Sequence, residues 1–182
     1  MDGSALSGGS PDLNRPVAEV PFMVVDFNGE SHGGNGFIAM LPVFKNRAEP
    51  GKLRSWHHLD PDSIDPGAAV EIQKALKGRV MVTHALLHDV PRLDSALGKL
   101  VRRGGAAHWV DTAALARKLI EPSACGQAAR LGEICHQLAL PEWERHTTDG
   151  DSFATAQLFL ILCARLRRKL ERPLMLGDLL QR

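Results

Sequence analysis

The chain has 182 residues, 44% hydrophobic and 24% charged, with a formal net charge of +1. That is enough for one sizeable core and too little for two comfortable ones, and the charge carries no global signature of nucleic-acid binding, so any such binding must use a local patch. No apolar run approaches the roughly 18–20 residues that span a bilayer, and Cys125, Cys135 and Cys163, odd in number and without CxxC spacing, argue against a disulfide framework.

Residues 1–20 carry Ser-Gly-Gly-Ser-Pro and little that could pack, so they read as a flexible tail before one folded domain over 21–182. The same stretch lacks the apolar segment of a signal peptide, and the expected location is cytoplasmic, with no membrane partner. Pro21 to Phe27 is a short β-branched and apolar run, expected as a buried central strand with Asp26 near its C-terminal end. After a glycine-rich break, Phe37 to Phe44 and then Leu53 to Leu59 continue as an antiparallel meander, with turns at Asn35-Gly36 and Glu49-Pro50-Gly51. Asp65-Pro66-Gly67 starts a helix, with Asp65 as N-cap and Pro66 in the first turn, and Gly78 stops it.

Arg79 to Thr83 is the fourth strand. A helix is expected from about Val90 to Arg102, a fifth strand from Ala107 to Val110, and a helix opened by Asp111-Thr112. Gly126 to Leu138 reads as one more helix, and Asp151 to about Arg172 as the last and longest. Strands in a meander followed by strand–helix alternation specify an α/β fold, a mixed sheet flanked by helices.

Asp26 ends a strand, Asp89 follows one, and Asp151 starts a helix with His146 just before it. Strand ends and helix starts are where open α/β sheets gather their sites. Three carboxylates brought together repel one another unless divalent cations neutralise them, and hard oxygen donors favour Mg²⁺ or Mn²⁺ in a two-metal arrangement. An imidazole beside such a centre suits the base that takes a proton from water. The plainer reading makes these carboxylates helix caps and strand-end residues.

These residues carry a resemblance. His146-Thr147-Thr148-Asp149-Gly150-Asp151 followed by Ala154-Thr155, His84-Ala85-Leu86-Leu87-His88-Asp89, and Val110-Asp111-Thr112 with Leu115-Ala116-Arg117 occur in the order found in DnaQ-like 3′–5′ exonucleases with a DEDDh active site. That family includes the proofreading epsilon subunit of bacterial DNA polymerase III. The chain resembles it over roughly Pro21 to Arg168. The resemblance implies a ribonuclease-H-like fold, metal-dependent hydrolysis of terminal phosphodiesters in single-stranded DNA or RNA, and a polymerase or other protein as a possible partner. It implies that Asp26, Asp89, Asp151 and the residue at position 28 hold the metals and that His146 is the general base.

The departures are specific. The family's Asp-x-Glu reads Asp26-Phe27-Asn28, so one of four motif acids is missing, and Asn28 coordinates through an amide oxygen without charge. Glu30 replaces it only if Gly29 bends the chain back, since four strand residues span about 13 Å. Ala85 and His88 alter the second motif, and the stretch between Asp26 and Asp89 is short for the family. His84 is either structural or a substrate contact. Trp143 either stacks on a terminal base or packs to fix the loop before His146. Arg165, Arg167, Arg168, Lys169 and Arg172 are either a solvated helix end or a contact to nucleic-acid phosphate or to a protein partner. The expected function is therefore exonuclease-type hydrolysis, with two alternatives. One is a catalytically inactive relative that binds nucleic acid or protein; the other is a hydrolase restricted to short oligonucleotides.

Overall fold

The fold is built around strand β1 (Phe22–Asn28), whose alternate side chains serve two different layers. The computed structural model describes residues 12–28, 36–59, 64–84, 108–120, 130–141 and 147–180. On one side β1 pairs antiparallel with β2 (Gly36–Phe44), from Phe22↔Val43 to Asn28↔Phe37. On the other it pairs parallel with β5 (Val80–Thr83), which pairs parallel with β6 (Trp109–Asp111). The far edge of β2 is shared by β3 (Arg47–Ala48) and β4 (Arg54–Leu59), separated by a single 3-10 turn at Pro50–Lys52. The expected meander and the parallel strands after it are thus both present.

A hairpin not foreseen from the sequence joins β2 to β3. Lys45 and Asn46 have φ of 51° and 57°, the left-handed pair that a two-residue turn between twisted strands requires. Asn is a usual occupant of that conformation and Lys is not, so the turn carries little sequence signal.

Helix α1 (Pro66–Leu76) begins as expected: the Asp65 carboxylate accepts a hydrogen bond from Ala68 N at 3.0 Å, and Pro66 occupies the first turn. Gly78 follows the helix end with φ of 70°, a conformation that glycine adopts without steric cost. Helix α2 (Thr112–Leu119) is capped by Asp111, which accepts from Ala113 N at 2.8 Å. Helix α3 covers Leu131–Gln137. The helix expected over 90–102 and the start of the one expected at 126 lie outside the described residues.

Helix α4 (Thr148–Leu170) departs from the expected start at Asp151. Its N-cap is Thr147, whose hydroxyl accepts from Gly150 N at 3.1 Å. Asp149 and Asp151 therefore sit within the first turn, where the positive helix end favours carboxylates. Glu171 closes α4 in a left-handed conformation, and Pro173 prevents continuation. A short helix α5 (Leu176–Leu180) follows.

Asp12 to Val20, grouped by composition with the N-terminal tail, belong to the packed structure. Val17 N donates to Leu174 O, Gly177 N to Leu13 O and Leu176 N to Arg15 O, while Val17 and Val20 are buried. These backbone bonds and two buried valines offset the poor packing composition around them. No helix among the described residues is long and apolar enough to cross a membrane.

The core has two parts. On one sheet face Phe22, Val24, Leu41, Val43, Val82 and Val110 pack against α2, α4 and α5. On the other Met23, Val25, Ile38, Met40 and Met81 pack against Ile72 and Leu76 of α1. Phe22 meets Phe159 of α4 with ring centroids 4.9 Å apart and planes tilted by 59°, a favourable edge-on arrangement.

Candidate active site

Asp26 follows Phe22 and Val24 in the alternation of β1, so it belongs to the face covered by α4. It is half-buried. Its register partner on β2 is Ala39, and the partner of Ala39 on β4 is Ser55. Residues directly opposite in antiparallel strands share a face, so Asp26, Ala39 and Ser55 form one transverse row. Ser55 Oγ donates to Asp149 Oδ1 at 2.5 Å, from the edge strand to the first turn of α4. The helix start is thereby pinned over the row that begins at Asp26.

The aromatic contact fixes the same alignment independently. From Phe22 to Asp26 the strand advances about 13 Å. From Phe159 back to Asp151 the helix descends about 12 Å. Helix α4 runs opposite to β1, so these two paths bring Asp26 and Asp151 to one level of the same interlayer space. Asp151 is partly exposed as a residue, but its Oδ1 is buried.

His84 lies just beyond β5, at the end where β1 and β6 also finish. Thr112, fully buried, donates its single hydroxyl proton to Thr83 O at 3.1 Å. The 2.9 Å contact between Thr112 Oγ1 and His84 Nδ1 must therefore run the other way, with Nδ1–H as donor. This fixes the ring orientation and, in the neutral ring, leaves the lone pair on Nε2. The bond pair also ties the end of β5 to the start of α2.

Of the residues expected in the site, Asp26 and Asp151 fall at about the same level between β1 and α4, as the strand and helix rises give it. The structure holds His84 by Thr112 at the same end of the parallel strands. Asn28 is the last residue of β1, with Phe37 as its register partner. Asp89, His146, Trp143 and Glu30 lie outside the described residues. Among the described residues no three of His, Cys, Asp and Glu converge as a metal-binding group. What is present is two carboxylates facing one layer, hard oxygen donors of the kind Mg²⁺ and Mn²⁺ take.

Two connections had no signal in the sequence. Ser55 and Asp149 are 94 residues apart, and their meeting depends on the β2–β4 register. Thr112 has an ordinary helix-start signature that says nothing of His84.

Neither a protein-family model nor a curated protein matches this sequence. Its structure, however, is similar to that of Escherichia coli exonuclease I in complex with a dT13 oligonucleotide, with a TM-score of 0.58 over 84% of this chain at 12% identity. The fold is ribonuclease-H-like. At that identity the likeness is one of fold, and this chain spans 43% of the length of exonuclease I. The ribonuclease-H-like sheet, antiparallel on one side of β1 and parallel on the other, presents Asp26 at its centre and places α4 across it.

Proposed function

We propose that this chain is a divalent-metal-dependent 3′–5′ exonuclease-type domain that hydrolyses terminal phosphodiesters of single-stranded nucleic acid. The observation that carries the reading is the alignment of Asp26 on the central strand with the first turn of α4, fixed by the Ser55–Asp149 bond and the Phe22–Phe159 contact. The fold shared with an exonuclease bound to an oligonucleotide supports it. Asp26, Asp151, Asp89 and Asn28 would hold Mg²⁺ or Mn²⁺. Those ions, when bound, supply charge for the leaving 3′-oxygen and a more acidic water.

The remaining steps belong to the chain's own side chains. His146 accepts the proton of the attacking water. Trp143 stacks on the terminal base, and His84, its ring set by Thr112, contacts the terminal nucleotide. Asn28 contributes an oxygen but no negative charge, so metal affinity is weaker than four carboxylates would give.

The test is digestion of a 5′-labelled single strand in saturating Mn²⁺, with Asp151→Asn beside the unaltered protein. Stepwise shortening from the 3′ end is expected, stopped by EDTA. Asp151→Asn should slow it by at least about 100-fold, the upper range for loss of a metal site's supporting groups. Undiminished cleavage by Asp151→Asn would sink the mechanism. Absence of any shortening would replace it with the inactive binding module.

A further inference from the structure

The opposite end of α4 carries the reverse charge. Lys118 and Leu119 at the end of α2, with Arg165, Arg168 and Lys169 of α4, line a cleft of about 260 Å³. Among the described residues no acidic side chain lines it. Arg165, Arg168 and Lys169 are three and four positions apart, which puts them on one helix face within mutual repulsion. All three are exposed, and none makes an ion pair or side-chain hydrogen bond with a described residue.

Complementing the helix dipole accounts for a cation in the last turn, such as Lys169 on α4 or Lys118 on α2. It does not account for Arg165, which lies more than a turn from the end. In a chain whose net charge is only +1, this is a concentrated local field.

The cleft also has a defined relation to the acidic end. Helix α2 starts at Thr112, against His84, and α4 starts over the Asp26 row, so both helices run away from that end together. From Asp151 to Lys169 the helix rises about 27 Å and completes about five turns, returning to the same side. We propose that this cleft binds the phosphodiester backbone of single-stranded nucleic acid, several nucleotides from the terminus engaged at the acidic end. Two guanidinium groups supply the planar forks that match phosphate oxygens, and Lys169 adds a point charge. The position along the strand rests on the exonuclease reading; binding of the backbone does not.

The experiment is fluorescence anisotropy of the full chain in EDTA, with 5′-labelled dT20 and dT4 over a range of salt concentrations. The double variant R165Q/R168Q is measured in parallel, with circular-dichroism melting to establish that it is folded. The unaltered chain should bind dT20 more tightly than dT4, and the variant should close most of that gap. Its slope of log affinity against log salt for dT20 should fall by about 1.4, the loss of two single-strand phosphate contacts. Unchanged affinity and slope in the folded variant would overturn the proposal. Mn²⁺-dependent digestion separates the two readings. Digestion of dT20 with unaltered binding by the variant discards the cleft and keeps the exonuclease. Weakened binding by the variant without digestion by either protein keeps the cleft as a backbone-binding surface and discards the exonuclease.

Discussion

The two faces of the sheet are packed in different ways. The α4 face is filled by Phe22, Val24, Leu41, Val43, Val82 and Val110 against Leu158, Phe159 and Leu162, with no methionine among its described buried residues. On the α1 face, Met23, Met40 and Met81 are among the seven buried residues that are described. Branched and aromatic side chains have few rotamers and hold a defined geometry, whereas methionine fills gaps and adapts. Every candidate site residue whose side chain can be placed lies on the stiffer side or at its edge. Asp26 and Asp151 keep their alignment only as long as α4 keeps its seat, so under the proposed mechanism stiffness there would bear on activity in a way that it would not beneath α1.

This contrast can be broken by substitution. Phe159→Ala should cost about 3–5 kcal/mol, a fall in melting temperature of about 6–20 °C for a chain of this size, measured by calorimetry. Any metal-dependent activity should fall further than the unfolded fraction explains, because the helix loses its register over β1. On the other face, Met81→Leu conserves volume at an adaptable position and should cost less than about 1.5 kcal/mol. If Met81→Leu proved as damaging as Phe159→Ala, the two faces would not differ in the way their composition implies.

A smaller effect sharpens the comparison at the edge of the stiff face. Thr112→Val removes the hydroxyl that donates to Thr83 O and accepts from His84, with little change in volume. The loss should be about 1–3 kcal/mol in urea denaturation. Nitrogen-15 spectra should show His84 losing its fixed Nδ1–H form.

The smallest effect lies away from both faces. Arg172 grips Asp178 through two hydrogen bonds of 2.9 and 2.7 Å, and Met175 N adds a third at 2.9 Å. The guanidinium bonds first, then the backbone bond, hold the Asp178 carboxyl below its ordinary value of 3.8 despite opposing desolvation. A depressed carboxylate stabilises the fold fully above its unfolded pKa and loses that contribution as pH falls through the folded one. Melting temperature should therefore drop slightly below about pH 4, and Asp178→Asn should remove that part of the acid sensitivity. The pair is exposed on the arginine side, so solvent keeps the effect small.

How far these features could be read from the sequence depended on the range of the interaction that fixes each. Apolar, β-branched runs bounded by turn residues exposed the strands at 22–28, 36–44, 54–59 and 80–83, because a central strand buries both of its faces. Asp65 was legible as a cap, and Asp111-Thr112 as a helix start, because a cap is a local hydrogen bond. The start of α4 was not. His146 to Asp151 offers Thr147, Thr148, Asp149 and Asp151 as competing caps. Asp149 is taken up by Ser55, far away in the chain, and the cap is Thr147. Asp12 to Val20 likewise has tail-like composition, and only its pairing with the C-terminal segment reveals Val17 and Val20 as core. Asp26 and Asp151 were recognisable as candidates from the sequence, whereas their common level required the β1–α4 alignment.

The pairing of Leu13, Arg15 and Val17 with Leu174, Leu176 and Gly177 has a consequence for biosynthesis. A chain emerging from the ribosome N-terminus first presents Leu13 to Val20 long before their partners exist. The central strand next to them waits equally for α4, which supplies Phe159. The nascent chain therefore carries its innermost strand uncovered on one side until its last helices arrive. Contacts of such long sequence separation slow folding, and the exposed strand is what a chaperone would meet first.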